Sequence, residues 1–161
     1  MVSWQQLINN VSLPVEWVSV REVTEIATHL PFRDGLPQTI GQRHQRGIMV
    51  EVLAQGHYGY SSTNQVTPEG FARAVEGAYR QAIAGSAWKI HAFSPRPPQT
   101  GHYRSEVAVP SIEWGEICDR LIAVSKALQV NDRIVKTNAY AHVVHATTRF
   151  VSSNGADITQ Q

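Results

Sequence analysis

Seven histidines, one cysteine, a Ser-Ser-Thr run and 13 carboxylates are the groups in this 161-residue chain on which chemistry could draw. A metal site needs ligands converging on one side of an element, as a His-Glu-x-x-His helix provides. No histidine pair here has that spacing. His142 and His145 come closest, but their surroundings read as strand, where an offset of three turns side chains to opposite faces. His29, His44, His57, His91 and His102 fall in predicted loops and strand ends, where a polar surface role suffices.

The nucleophiles fare no better. An activated thiolate needs an electropositive, partly exposed niche, whereas Cys118 lies on an apolar helical face and reads as a small core residue. Ser61-Ser62-Thr63 stands between a strand pattern and a helix start, where hydroxyls and free amides can meet an anion or a peptide, or form a polar connection. No base neighbours these serines in sequence; folding would have to bring His29 or His57 to them. Gly56, Gly59 and Gly70 do not make a phosphate loop. Glu16, Glu22, Glu25, Glu51, Glu69 and Asp157 show no defensible pairing and are expected to be mostly solvated. The residues therefore predict no catalytic group and no metal ligand.

The elements that would position these groups are clearer. Trp4, Leu7, Ile8 and Val11 have helical spacing within Val2 to Val11, and Pro14 stops continuation. Period-two alternation follows from Trp17 through Val18, Val20 and Arg21 to Ile26, with Pro31 and Asp34-Gly35 as punctuation. Arg46 to Ser62 predicts a hairpin turning at Gln55-Gly56, where Gly56 suits a positive φ. Gly47 and Gly59 inside these strands mark a bulge or a close backbone approach.

Thr67-Pro68-Glu69 combines a capping hydroxyl, a proline that needs no donor and an acid at the positive end of a helix. Phe71, Val75, Ala78, Tyr79, Ala82 and Ile83 then share one face, and Gly85 offers a stop. Ser94 to Gly101, with Pro95, Pro97 and Pro98, reads as a linking excursion dividing the chain in two. Beyond it Ser111 can cap a helix whose wide apolar face is Trp114, Ile117, Cys118, Leu121, Ile122, Val124 and Leu128, ending before Asn131-Asp132. Alternation resumes at Ile134, and Ser153-Asn154-Gly155 predicts a hairpin between Phe150-Val151 and Ala156 to Thr159.

This order predicts an α+β fold, helices packed on a mostly antiparallel sheet, as one domain over 1–161 with a proline-rich connection near 94–101. The brief last strand leaves a sheet edge that further chain would cover, so a larger protein is expected. With 14 basic and 13 acidic residues the net charge is +1, which draws the chain to neither nucleic acid nor anionic lipid. Apolar runs such as Gly47 to Ala54 fall short of the roughly 20 residues that span a bilayer. A single cysteine and no signal-like opening predict the cytoplasm.

From Arg46-Gly47-Ile48-Met49-Val50 through Gly56-His57-Tyr58-Gly59-Tyr60-Ser61-Ser62-Thr63-Asn64 to Thr67-Pro68-Glu69, the sequence resembles the N-terminal domain of the TldD/PmbA family. These are zinc metallopeptidases also called modulators of DNA gyrase. Gly101-His102-Tyr103-Arg104-Ser105 resembles a later stretch of the TldD type more than the PmbA type. The resemblance implies a non-catalytic N-terminal domain that helps form a peptide path and a homodimer or heterodimer. The zinc would sit on a His-Glu-x-x-x-His helix in a C-terminal domain of the same protein, a motif missing from these residues. Arg46, Tyr58, Tyr60 and Ser61 become the candidate peptide or partner contacts, partly along exposed strand edges, with Gly47, Gly56, Gly59, Thr67 and Pro68 as structural residues. The alternatives are a free-standing peptide-binding or assembly module and, against the near-neutral charge, a DNA-associated protein.

Overall fold

The computed structural model describes residues 2–88, 91–97 and 113–161. His102, the Gly101 to Ser105 stretch, Ser111 and the end of the proline-rich connection lie outside them. In chain order the elements are α1 (Trp4–Asn9), β1 (Trp17–Arg33), β2 (Leu36–Pro37), β3 (Gly41–Ala54), β4 (His57–Thr63), α2 (Pro68–Ser86), α3 (Trp114–Ala127), β5 (Asn138–Ser152) and β6 (Asp157–Gln160). The sheet order is β4-β3-β1-β5-β6 with β2 paired to β1, and the fold is the expected α+β arrangement of helices with an antiparallel sheet. No helix among the described residues is long and apolar enough to cross a membrane.

The described residues group into two compact units. One unit draws on Met1–Thr24, Gln45–Ser105 and Ala146–Gln161, the other on Glu25–His44 and Glu106–His145. Strands β1, β3 and β5 each contribute residues to both. β1 continues through Pro31, whose carbonyl still accepts a hydrogen bond from Gln38 N–H at 2.8 Å. β3 begins at Gly41, earlier than the alternation suggests, because residues 41–46 are all exposed and carry no apolar period to betray a strand.

In the first unit, alternation sends Val18 and Val20 of β1, Ile48, Val50, Val52 and Ala54 of β3, and Val151 of β5 into a core with α1 and α2. α1 supplies Trp4 and Ile8; α2 supplies Phe71, Ala74, Val75, Ala78 and Ala82 at three- and four-residue intervals. Each fully buried Val or Phe contributes roughly 1.5–3 kcal/mol by leaving water. The helix starts where its cap allows: Thr67 Oγ1 accepts the Gly70 N–H at 3.1 Å and Pro68 occupies the first turn. β3 turns into β4 through Gln55 (φ 50°) and Gly56 (φ 70°), a pair of left-handed residues that matches the twist of a two-residue hairpin.

Gly59 sets the depth of this packing. It lies in β4 opposite Val52, beneath α2, and a Cβ there would stand 2.0 Å from the Ala78 carbonyl oxygen and 2.6 Å from Ala82 N. Only a residue without a side chain lets helix backbone and strand backbone meet so closely.

In the second unit, Ile117, Cys118, Leu121 and Ile122 of α3 pack on Leu30, Phe32, Ala139 and Ala141. The buried stripe is narrower than the sequence suggests: Trp114, Val124 and Leu128 are 42%, 50% and 45% exposed. They lie outside the arc that meets the two strands. The helix begins at Trp114, with Glu113 at the N-cap position making no side-chain cap hydrogen bond. Below it a polar knot holds the Asp34-Gly35 turn: Ser125 Oγ accepts from Gly35 N–H at 2.8 Å and meets Thr137 Oγ1 at 2.7 Å, and Asp34 Oδ1 accepts from Thr137 N–H at 2.7 Å.

Gly59→Ala should destabilise the protein by about 2–3 kcal/mol, the range of overpacking against atoms that cannot move. Gly115→Ala, where a Cβ meets nothing within 4 Å, should be neutral or stabilising by up to about 1 kcal/mol because alanine is the better helix former. Thr67→Ala should cost about 1 kcal/mol through the lost cap. Urea melts of the three variants decide the order; a Gly59→Ala protein as stable as the parent would refute the packing account.

Candidate functional site

The odd-numbered residues of β3 face away from α2, and among them stands a charge. Glu51 is 3% exposed, directly across from Tyr60 in the β3–β4 register, with Leu53 across from Tyr58. Cross-strand partners and residues two apart share a face, so Glu51, Tyr58 and Tyr60 belong together. Arg96 satisfies the carboxylate: its Nη2 donates to Glu51 Oε1 at 2.6 Å, and its guanidinium carbon lies 5.6 Å from the centre of the Tyr58 ring. Tyr58 also stacks on Tyr60 at 6.4 Å and meets Trp17 edge-on at 5.9 Å.

Arg96 arrives on an irregular segment, 91–97, that this face holds by its main chain. Phe93 N–H donates to the Gly56 carbonyl at 2.7 Å, and the Tyr58 hydroxyl donates to the Ser94 carbonyl at 2.8 Å. Asn154 Nδ2 donates to the Arg96 carbonyl at 2.5 Å, while its Oδ1 accepts from Trp17 Nε1 at 3.0 Å and from Ser152 Oγ at 2.6 Å. Beyond Arg96 a cleft of about 700 Å³ continues over Trp17, Val23, Phe150 and Ile158, with Arg21 and Gln160 also lining it.

The electrostatics follow from burial. Tyr58 is shifted above the usual phenol value of 10.0 by burial first, with Arg96 opposing and the Glu51 charge adding to the rise. Tyr60 is raised by burial, then by its hydrogen bond and charge contact with Glu51. Arg96 holds its proton more firmly because Glu51 accepts from it. This is a face that accepts a cation and grips an extended main chain. It offers no nucleophile with a positioned base.

The candidate contacts divide between two faces. Tyr58 and Tyr60 are at this site. Arg46 is on the helix-covered side, where its Nε donates to Glu22 Oε1 at 2.7 Å and Glu22 Oε2 accepts from Trp4 Nε1 at 2.6 Å. Ser61, opposite Val50, lies under α2 near Gly77. The edge of β4 is also partly occupied, since the Tyr60 N–H donates to Gln81 Oε1 of α2 at 2.5 Å.

Four residues of the site lie outside the sequence-derived set: Glu51, Arg96, Trp17 and Asn154. Glu51 contradicts the expectation of solvated carboxylates, and Glu16, Glu22 and Asp157 are engaged as well, with Gly56 N–H, Trp4 and Arg46, and Arg149 respectively. Glu51 carried a signal, being the one charge in the apolar run Ile48 to Ala54; Arg96 carried another, standing between two prolines.

Metal chemistry finds no support here. Among the described residues no three His, Cys, Asp or Glu side chains gather. His29, a strand residue rather than a loop residue, meets His142 across strands at 6.2 Å between ring centres, which makes two imidazoles and no third ligand. The residues described do not fit a zinc site.

In the first unit the geometry defines a sheet with one face covered by α1 and α2 and one face bearing Glu51, Tyr58 and Tyr60. Residues 18–82 match the family described as PmbA/TldA metallopeptidase domain 1. That span holds the hairpin and α2 as far as Ala82, so this part of the chain is similar to the first domain of that family. Among solved structures it is similar to TldE from Thermococcus kodakarensis, with a TM-score of 0.67 and 15% identity, over 96% of this chain and 36% of that one. A candidate modulator of DNA gyrase from Bacteroides thetaiotaomicron gives 0.64 and 15%, over 97% and 37%. Another from Thermotoga maritima gives 0.59 and 14%, over 89% and 32%. These likenesses are of fold, and the chain spans about a third of the length of each structure. No curated protein matches the sequence.

Arg96→Ala should destabilise by about 1–3 kcal/mol, because it strands a buried carboxylate, while the exposure of Arg96 keeps the loss below that of a fully buried pair. In an Arg96→Ala background, Glu51→Gln should recover part of that loss in urea melts. Stability should also fall at alkaline pH. A phenol raised in the folded state keeps its proton while the unfolded chain ionises near 10.0, so the contribution is constant below that pH and declines above it through the folded value. A Tyr58→Phe, Tyr60→Phe protein should show a shallower decline between pH 9 and 11; an equal slope would show that these tyrosines do not titrate as described.

Proposed function

We propose that the chain is the non-catalytic N-terminal domain of a TldD/PmbA-type metallopeptidase, where it holds extended peptide and contributes to a homodimer or heterodimer. The observation that carries this reading is the Glu51–Tyr58 face, which grips residues 91–97 through the Ser94 and Arg96 carbonyls and the Phe93 N–H. Such main-chain contacts accept extended chains of many sequences, as a peptide path requires. The family match over 18–82 supports the enzyme class of this reading, in which the hydrolytic zinc would belong to another portion of the protein.

A second reading, a free-standing peptide-binding or assembly module, rests on the same contacts. In both readings the chain alone should bind unstructured peptides without cleaving them. The peptidase reading adds that Tyr58→Ala in the whole protein should raise KM severalfold with kcat nearly unchanged, because the residue touches chain rather than the reacting bond. Zinc-dependent hydrolysis by the isolated chain would falsify the non-catalytic assignment. A monomer in analytical ultracentrifugation, with and without the remaining portion of the protein, would remove the assembly role.

A further inference from the structure

We propose that the Glu51 face is an arginine-selective peptide site, which the chain fills in cis with residues 91–97 and which takes other extended arginine-bearing segments when those residues leave. This rests on the reading of the face as a holder of extended chain, and adds the side chain that it selects.

Among the described residues, three of the four polar contacts to the segment involve its main chain and read no side chain; the fourth is Arg96 on Glu51. The burial is asymmetric. The Glu51 side chain is 5% exposed and that of Arg96 is 57% exposed, the pattern of a ligand group lying on a preformed receptor group. The receptor atoms stand in regular structure or are tied to it: Glu51 and Tyr58 are strand residues, and Asn154 is fixed by Trp17 and Ser152.

The ligand, by contrast, makes no helix or strand, and Pro95 and Pro97 on either side of Arg96 restrict it to extended backbone. Prolines that pre-set an extended chain lower the entropy lost on docking against aromatic rings. The guanidinium has a planar face for Tyr58 and N–H donors for the carboxylate at once, which a lysine ammonium cannot reproduce. Tethering gives the cis segment an effective concentration on the order of millimolar, so an external peptide competes against it.

The test uses the full chain carrying Arg96→Ala and two capped peptides, Phe-Ser-Pro-Arg-Pro and its Phe-Ser-Pro-Ala-Pro counterpart, titrated by calorimetry. The variant should bind the arginine peptide about tenfold or more tighter than the alanine peptide, as one charge-assisted contact implies. Adding Glu51→Gln should erase that preference, and the parent chain should bind the arginine peptide about tenfold more weakly than the variant does. Equal affinity of the Arg96→Ala chain for both peptides overturns arginine selection and leaves the extended-chain reading standing. No binding of either peptide to any chain overturns both. If Arg96→Ala does not fold, Arg96→Lys keeps a charge opposite Glu51; that chain must still prefer the arginine peptide, and failure to do so overturns the proposal.

Discussion

A carboxylate set in the middle of a buried strand must be neutralised from outside the sheet. Glu51 lies between Val50 and Val52, both fully buried on the helix side, so its own face is the one direction in which a partner can come. Leaving such a charge without a partner costs about 1–3 kcal/mol, more than most single contacts return. The requirement organises what lies over that face. It places Arg96, and Arg96 brings its proline-flanked segment against Tyr58, Asn154 and the Gly56 turn. The polar groups that hold the segment are those a receptor uses for a main chain, because carbonyls and amides are what an extended segment presents at regular intervals.

The other face of the same strands obeys the opposite rule. There the sheet is covered by apolar side chains of α1 and α2, and closeness rather than charge is the limiting quantity. Gly59 lets α2 approach β4 to backbone contact, and Ala74, Ala78 and Ala82 present little bulk to the strands. The two faces are linked through period two. Val52 and Gly59 oppose each other on the helix side, as Glu51 and Tyr60 do on the open side, so a one-residue slip would bury Tyr60 under a helix and expose the valines. Packing on one side thus fixes the register that assembles the site on the other.

The similarity to the PmbA/TldA first domain rests on the residues that make this packing. The hairpin, its Gln55-Gly56 turn and the capped start of α2 fall within the matched residues 18–82, and they are scaffold residues. Similarity in scaffold at about 15% identity carries the fold to the longer relatives, while the grip on an extended chain is argued from Glu51, Tyr58 and Asn154 in this molecule.

Local chemistry made much of the scaffold legible from sequence. Thr67-Pro68-Glu69 announced α2 because a cap, a donorless proline and an acid act within a few residues of one another, and Gly56 announced its turn because positive φ is a property of one residue. The Ile48 to Ala54 strand declared itself by apolar content, whereas residues 41–46 stayed hidden because they are exposed and carry no apolar period. The width of the α3 stripe was overread, since an apolar residue is buried only if an element faces it, and nothing local says which arc will be faced. The site was decided by tertiary structure. Arg96 is 45 residues from Glu51, and Asn154 is 58 from Arg96, so only folding could tell that these polar groups answer one buried charge. Sequence by itself determined where the chain turns, caps and alternates; the tertiary structure decided which charge is buried and what must cover it, because desolvation depends on everything brought near and not on neighbours along the chain.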